Sequence, residues 1–424
     1  MRFALPALFA TATILPAAPS PDPYRPAWAD LPAKRTIPFS GDAKALVRAI
    51  AALQPGDHLT IAAGTYQIDQ FWDITVSGTS ALPITISAAK DATVVLTRSD
   101  DRQNTVNLGQ SKPVAFVCLR GLEITNGSHG LRMGAASDVW IDQCHIHHTS
   151  DVCLSANSHD TSRIFLTGNH LHHGAGHAEG MYLGANDGKF AMSESVIARN
   201  HVHDCFGDQG DGIELKQGSW GNLIAENHIH DTNYPCITVY GTAGRKPNVI
   251  ERNLCYRSRN NVMQVQGEAI VRSNVLIGGE NAGFASTDHQ GKTRDLTVVH
   301  NTIVSTTHAF RGNSWNDRAN LVLANNFLYS RDGNALFFPS GHKGATITGN
   351  VIVGSGPDAG STRGRSLAED LPGIAWDGSR HDASPAADAP FRKADPRFLG
   401  KTDFRGAART QPIAGAIAGG SAPR

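Results

Sequence analysis

The stretch ARNHVHDCFGDQGDGIELKQGSWGNLIAENHIHD, residues 198–231, carries its own ruler: Asn200-His201-Val202-His203-Asp204 returns as Asn227-His228-Ile229-His230-Asp231. Outward from it the same unit recurs at Asn169, Asn200, Asn227, Asn253, Asn274, Asn301, Asn326 and Asn350, at intervals of 31, 27, 26, 21, 27, 25 and 24 residues. Two residues after each Asn stands a core-type side chain: Leu171, Val202, Ile229, Cys255, Leu276, Ile303, Leu328 and Ile352. A period in the twenties with one short signature per unit marks a solenoid of stacked coils. Apolar and polar residues alternate over four to six positions and no intervening segment sustains helical spacing, so the units are strands. The expectation is an all-β, single-stranded parallel β-helix, right-handed because parallel crossovers take that hand. Asn suits each bend, since its amide tolerates tight backbone geometry and can bond the Asn above and below.

The 424-residue chain carries 38 basic and 38 acidic side chains, so no net field argues for nucleic acid or an anionic membrane. The opening MRFALPALFATATILPAAPS has an early Arg, an apolar run and small residues, the pattern of a signal peptide over residues 1–20. Export to the periplasm or medium follows, and no later stretch is apolar enough to span a bilayer. The six cysteines show no Cys-x-x-Cys spacing and read as small core residues. Leu46, Val47, Ile50 and Leu53 follow Gly41-Asp42 at helical spacing and stop at Pro55-Gly56, which predicts a short helix capping the open end of the first coil. The solenoid with its cap is expected over residues 36–353. Residues 354–424, rich in Gly, Ser, Pro and Ala, are expected to form a loosely packed tail with a return strand.

Stacking converts sequence into columns. Aligning Gly130–Gly134, Asp151–Ser155, Gly180–Gly184, Gly212–Lys216, Cys236–Tyr240 and Val262–Gln266 by their alternation turns Arg132, Cys153, Tyr182, Glu214, Thr238 and Gln264 outward in one column. A second outward column carries Lys216 and Tyr240, and His129, Glu179 and Asp211 precede the strands, with Asp208 in the bend before. Neighbouring strands lie about 4.8 Å apart, so Tyr182, Glu214, Lys216 and Tyr240 share one small surface. A Lys and two Tyr beside carboxylates suit an acidic sugar. β-Elimination from a uronate needs a cation to neutralise the sugar carboxylate and a base for the adjacent carbon. Lys216 is the expected base, Tyr240 the acid or partner, and Glu214 their neighbour. A carboxylate raises a Lys pKa, so Glu214 facing Lys216 unneutralised hinders that role.

LQPGDHLTIAAGTY (residues 53–66), SGTSALPITISA (77–88), the Asn ladder and the closing DFRGAAR-to-GA segment together resemble secreted β-helix proteins of the pectate-lyase-like superfamily. Within it, the opening and the Lys216 coil look most like the chondroitinase B and alginate lyase group. The resemblance implies a polysaccharide lyase acting as a monomer on an acidic glycan. In that group one coil carries two acidic Ca²⁺ ligands, a base Lys five residues after the second acid, and an Arg on the next coil. Asp211 and Lys216 reproduce the interval, but Gln209 stands at the first acid and Tyr240 at the Arg. Asp211, Glu179 and Asp208 are therefore the expected Ca²⁺ ligands, and Arg132, Tyr182 and Arg245 the expected substrate contacts. A glycoside hydrolase, a uronate C5 epimerase and a noncatalytic glycan-binding or envelope solenoid are the alternatives. His145, His170, His201 and His228 form one further column and His147, His172, His203 and His230 another. Eight imidazoles could bind a transition metal, yet such rows also recur as side-chain ladders, and they are read as structural.

Overall fold

The computed structural model describes residues 22–389 and 394–418; the expected signal peptide lies outside them. The chain winds as a right-handed parallel β-solenoid of about 12 turns. Three parallel sheets form its faces, each with strands stacked in chain order. Sheet I runs from Arg35–Phe39 to Thr346–Thr348, sheet II from Gly64–Gln67 to Ser361–Arg363, and sheet III from Asp73–Ile74 to Leu336–Phe337. One coil shows the pattern: Leu223–Ala225 in sheet I, His228–Thr232 in sheet II, Ile237–Val239 in sheet III. Alternate side chains from all three sheets fill one continuous core, including Ile224, Ile229, Ile237 and Val239.

The Asn ladder closes the corner between sheets I and II. Each ladder Asn from 169 to 326 donates its backbone N–H and its Nδ2 to the Oδ1 of the next Asn, at 2.8–3.0 Å. Each Nδ2 also reaches a strand carbonyl of the coil below, as Asn227 does to Ile197 at 2.9 Å. These amides are buried, so their complete pairing is required rather than optional. The tight backbone is not borne by Asn itself. The residue before it adopts the left-handed region: Arg199, Glu226, Arg252, Ser273 and His300 have φ between +54° and +56°. Such a conformation costs a non-glycine residue about 1–2 kcal/mol, which the saturated Asn offsets. A second, shorter ladder joins Ser195, Asn222 and Asn248 where sheet III passes to sheet I, with Asn222 N–H and Nδ2 both 3.0 Å from Asn248 Oδ1. Its members are 27 and 26 residues apart, a signal the sequence held but the longer ladder overshadowed.

The expected helix α1 spans Ala43–Ala51; Asp42 caps it by accepting from Ala45 N–H at 2.7 Å, and Leu46 and Ile50 enter the core. All six cysteines are buried and free, as a core role requires. Residues 354–418 depart from the expectation of a loose tail. Ser361–Arg363 adds a last strand to sheet II beyond residue 353. Leu367, Leu371, Ile374, Ala414, Ala416 and Ile417 then pack on Tyr256, Val275, Ile277, Val304, Phe327 and Tyr329, which point out of sheet II. Apolar residues on the outer face of these late coils demand that cover, which a search for periodicity overlooks because the covering segment has none. No return strand forms in 403–418; a single antiparallel bridge joins Thr402 and Ala408. The residues following 21 also fold back, placing Tyr24 on Ala198 and Ala225, and Trp28 on Cys118 and Trp140.

Asn227→Ala removes the acceptor of two Asn200 donors and leaves them buried. It is expected to destabilise the protein by about 2–4 kcal/mol, read as a lowered denaturation midpoint by circular dichroism.

Candidate active site

Sheet III carries the candidate site, and glycines set its depth. Gly180 and Gly212 precede their strands where a Cβ would lie 2.4 Å from Val202 and from Ile229, respectively. Only a bare backbone lets these strands close on sheet II, which fixes the register of Met181–Leu183 and Ile213–Leu215. Strand pairing then stacks Arg132, Ser155, Tyr182, Glu214, Thr238 and Gln264. The sequence-based column is corrected at one coil: Leu131 pairs with Leu154, so Ser155, not Cys153, stands between Arg132 and Tyr182. The slip is two residues, which preserves the alternation and so leaves no trace in the hydrophobic pattern. Cys153 is in the core. Continuing the column through Ala285 reaches Arg311, a second arginine that the sequence alignment, ending at Gln266, did not extend to.

Six of the nine expected residues converge. Lys216 Nζ lies 2.5 Å from Glu214 Oε1, 4.5 Å from the Tyr182 ring centre and 5.4 Å from that of Tyr240. Tyr240 Oη donates to the same Glu214 oxygen at 3.3 Å. Thr238 Oγ1 donates to Asp211 Oδ1 at 2.5 Å. Glu179 is fully buried with neither carboxylate oxygen bonded, and Glu214 Oε2 is likewise without a partner. Arg132 faces the same way three strands from Glu214, about 14 Å along the column. The other two stand apart: Asp208 is exposed in the preceding turn, and Arg245 is exposed in a loop beside Gly218.

The set is not an open surface. Lys216 and Glu214 are only 4% and 2% exposed. Two loops meet over them. Asp187 N–H donates to Gln290 Oε1 at 2.8 Å, Gln290 Nε2 donates to Asn186 Oδ1 at 3.0 Å, and the His289 ring meets Tyr240 edge-on at 5.0 Å between centres. His289 and Gln290 lie four coils from Asn186 and belong to a segment with no periodicity, so only the folded chain reveals this roof.

Burial sets the protonation pattern. It pushes Glu179 up to about 7, and Glu214 adds repulsion. It raises Asp211 well above the carboxylate range, reinforced by Glu214 and opposed by Thr238. Tyr240 is raised strongly by burial and by the Glu214 and Asp211 charges, so it keeps its proton. For Lys216 burial favours the neutral amine, but contact with Glu214 outweighs it and the net direction is up. Lys216 therefore rests as an ammonium ion, which departs from its expected role as base.

Calcium needs six to eight converging oxygens. Among the described residues, the side-chain groups close enough to share an ion all lie on sheet II, and the acidic set on sheet III is not one of them. Asp208 is remote, Asp211 is bonded to Thr238, and Glu214 is neutralised by Lys216. Among the described residues the three expected Ca²⁺ ligands do not bring their oxygens within 4.8 Å of one another, and Glu179 alone among them is buried with both oxygens unbonded.

Comparison with known proteins supports the fold. Residues 78–247 match the family model described as the right handed beta helix region. No curated protein sequence matches. Similar solved structures include an alginate lyase from Paenibacillus sp. str. FPU-7, at 18% identity and a TM-score of 0.51 over 78% of this chain and 100% of that one. Another is the pectate lyase Pel9A, at 15% identity and a TM-score of 0.50 over 88% and 90%. A PL6 family alginate lyase, AlyGC, matches at 14% identity with a TM-score of 0.53, over 84% of this chain and 56% of that one. At these identities the likeness is one of architecture, shared by polysaccharide lyases that act on alginate and pectate.

Glu179 links the site to stability. Its carboxyl ionises near 4.5 when unfolded and near 7 when folded, so the unfolded chain holds fewer protons between those values and stability falls as pH rises through them. Glu179→Gln removes this cost, on the order of 3 kcal/mol. The variant is expected to melt higher than the parent at pH 8, with the gap narrowing towards pH 4.5, by calorimetry at both pH values.

Proposed function

We propose that the protein cleaves an acidic, uronate-containing polysaccharide by β-elimination. The observation that carries this reading is the Lys216–Glu214–Tyr240 set, an ion pair with one open carboxylate oxygen beside a proton-holding phenol. The column that bears it has an arginine towards either end, Arg132 and Arg311, spaced to meet the carboxylates of an anionic polymer running along sheet III. Among the described residues no helix is long and apolar enough to cross a membrane.

The chemistry follows from the charges. A uronate entering under the 186–188 and 289–290 loops brings its carboxylate to the Lys216 ammonium, which neutralises it and stabilises the charge that develops as the adjacent proton leaves. Glu179 and Asp211, held protonated by burial, donate hydrogen bonds to the same carboxylate, as neutral carboxyls do where water is excluded. Glu214, through Oε2, takes the proton. Tyr240 gives its own to the departing glycosidic oxygen, a task suited to a phenol of raised pKa. This assigns Lys216 the role that an Arg or a bound cation would otherwise serve.

Hydrolysis is the second reading, favoured by one observation: Glu179 holds a proton near neutrality beside Glu214, the division of labour a glycosidase needs. The products separate the two. Elimination yields an unsaturated, ultraviolet-absorbing end; hydrolysis yields reducing ends without it; epimerisation incorporates solvent deuterium into an uncut chain; a binder gives none of these.

On a panel of alginate, pectate and glycosaminoglycans, ultraviolet absorbance is expected to rise with at least one substrate and to persist in EDTA. Lys216→Ala and Glu214→Gln are expected to lower kcat by about 10²–10⁴-fold, while Lys216→Arg retains measurable activity because charge suffices. An inactive Lys216→Arg alongside an active Glu214→Gln would return the base role to Lys216.

A further inference from the structure

The histidine columns on sheet II do more than stack. Successive rings along each column are nearly parallel, with centres 4.7–5.1 Å apart. That much a side-chain ladder explains. It does not explain the diagonal contacts, in which Nε2 atoms of tilted rings on successive coils point at each other: His145 and His172 at 2.8 Å, His170 and His203 at 2.7 Å, His201 and His230 at 2.9 Å. With the ring beside each pair they make three overlapping triads, His145-His170-His172, His170-His201-His203 and His201-His228-His230, and Glu123 with His145 and His147 makes a fourth group. In each, one donor atom per residue lies within 4.8 Å of the others.

We propose that this face binds divalent transition-metal ions. Nitrogen donors select zinc, nickel, cobalt or copper and disfavour calcium. Two ligands on a tetrahedral ion at about 2.0–2.1 Å stand about 3.3 Å apart, so the rings need part by only about 0.5 Å to admit one. Outer partners already orient them. His203 Nδ1 is 2.7 Å from Asp204 Oδ2 and His230 Nδ1 is 2.6 Å from Asp231 Oδ2, which keeps the proton on Nδ1 and leaves the Nε2 lone pair directed at the neighbouring ring. The rings are partly exposed, so an ion reaches them from solvent without unfolding. Adjacent triads share His170 or His201, hence at most two groups without a common residue fill together, and the capacity is two ions per chain. The face is separate from the Lys216 site, on another sheet, and the proposal does not depend on the glycan reading.

The test uses the full chain purified without a polyhistidine tag and stripped with EDTA. Calorimetric titration with Zn²⁺ is expected to show about two ions bound, and Cu²⁺ is expected to give an electron paramagnetic spectrum with coupling to two or more imidazole nitrogens. The double variant His170→Gln, His201→Gln disables all three histidine triads and is expected to lose binding at those sites, while Asp231→Asn weakens it about tenfold without removing a ligand. Wild-type protein that binds no Zn²⁺, or whose Cu²⁺ spectrum lacks nitrogen coupling, overturns the proposal. So does a folded double variant that binds as the parent does; should it not fold, the wild-type Cu²⁺ spectrum decides alone.

Discussion

A buried amide that ties each coil to the next is the contact on which this molecule depends. Each ladder Asn from 200 to 326 accepts two bonds from the coil on one side and returns two to the coil on the other, so none of these can be removed without stranding donors of its neighbour. The arrangement holds an unfavourable left-handed residue at each corner and sets the spacing of all three faces. Once corners repeat, strands of sheet III must stack in register, and side chains 21 to 34 residues apart in sequence become neighbours at about 4.8 Å.

The two faces use that spacing differently. On sheet III it concentrates unlike groups: an ammonium, a carboxylate and two phenols, with further carboxyls pushed towards neutrality by burial. Such a set is poorly stabilising, since desolvation costs each ion several kcal/mol before any pairing offsets it. Glu179, buried with no partner, has no structural reason to be there, and perturbed groups of this kind concentrate at functional sites. On sheet II the same spacing repeats like groups. Burial and neighbouring imidazoles push His170, His201 and His228 down to about 4, so the rings stack without mutual charge repulsion.

Particular residues show where sequence reading holds and where it stops. The Asn and His columns were legible because each repeats a residue type at a near-constant interval, and the Glu214, Thr238 and Gln264 register followed from strict alternation. The Ser155 position was not, because a two-residue slip keeps inward residues inward. The resting state of Lys216 turned on a distance: the sequence put Glu214 beside it, but only the 2.5 Å contact decides that the amine keeps its proton. Asp208 and Arg245 failed to join the site because bends and loops obey no period.

The sequence by itself determined the solenoid, its stacked corners, the capping helix and the face on which Tyr182, Glu214, Lys216 and Tyr240 meet, since period and alternation are properties of the chain. Only the tertiary structure decided that this face is roofed by residues 186–188 and 289–290, that residues 367–389 and 394–417 cover the late coils, that Asp208 stands apart from Glu179 and Asp211, and that histidines converge diagonally. Each of these rests on long-range contacts between segments of irregular spacing, where burial and distance, rather than pattern, set the charge and reach of a side chain.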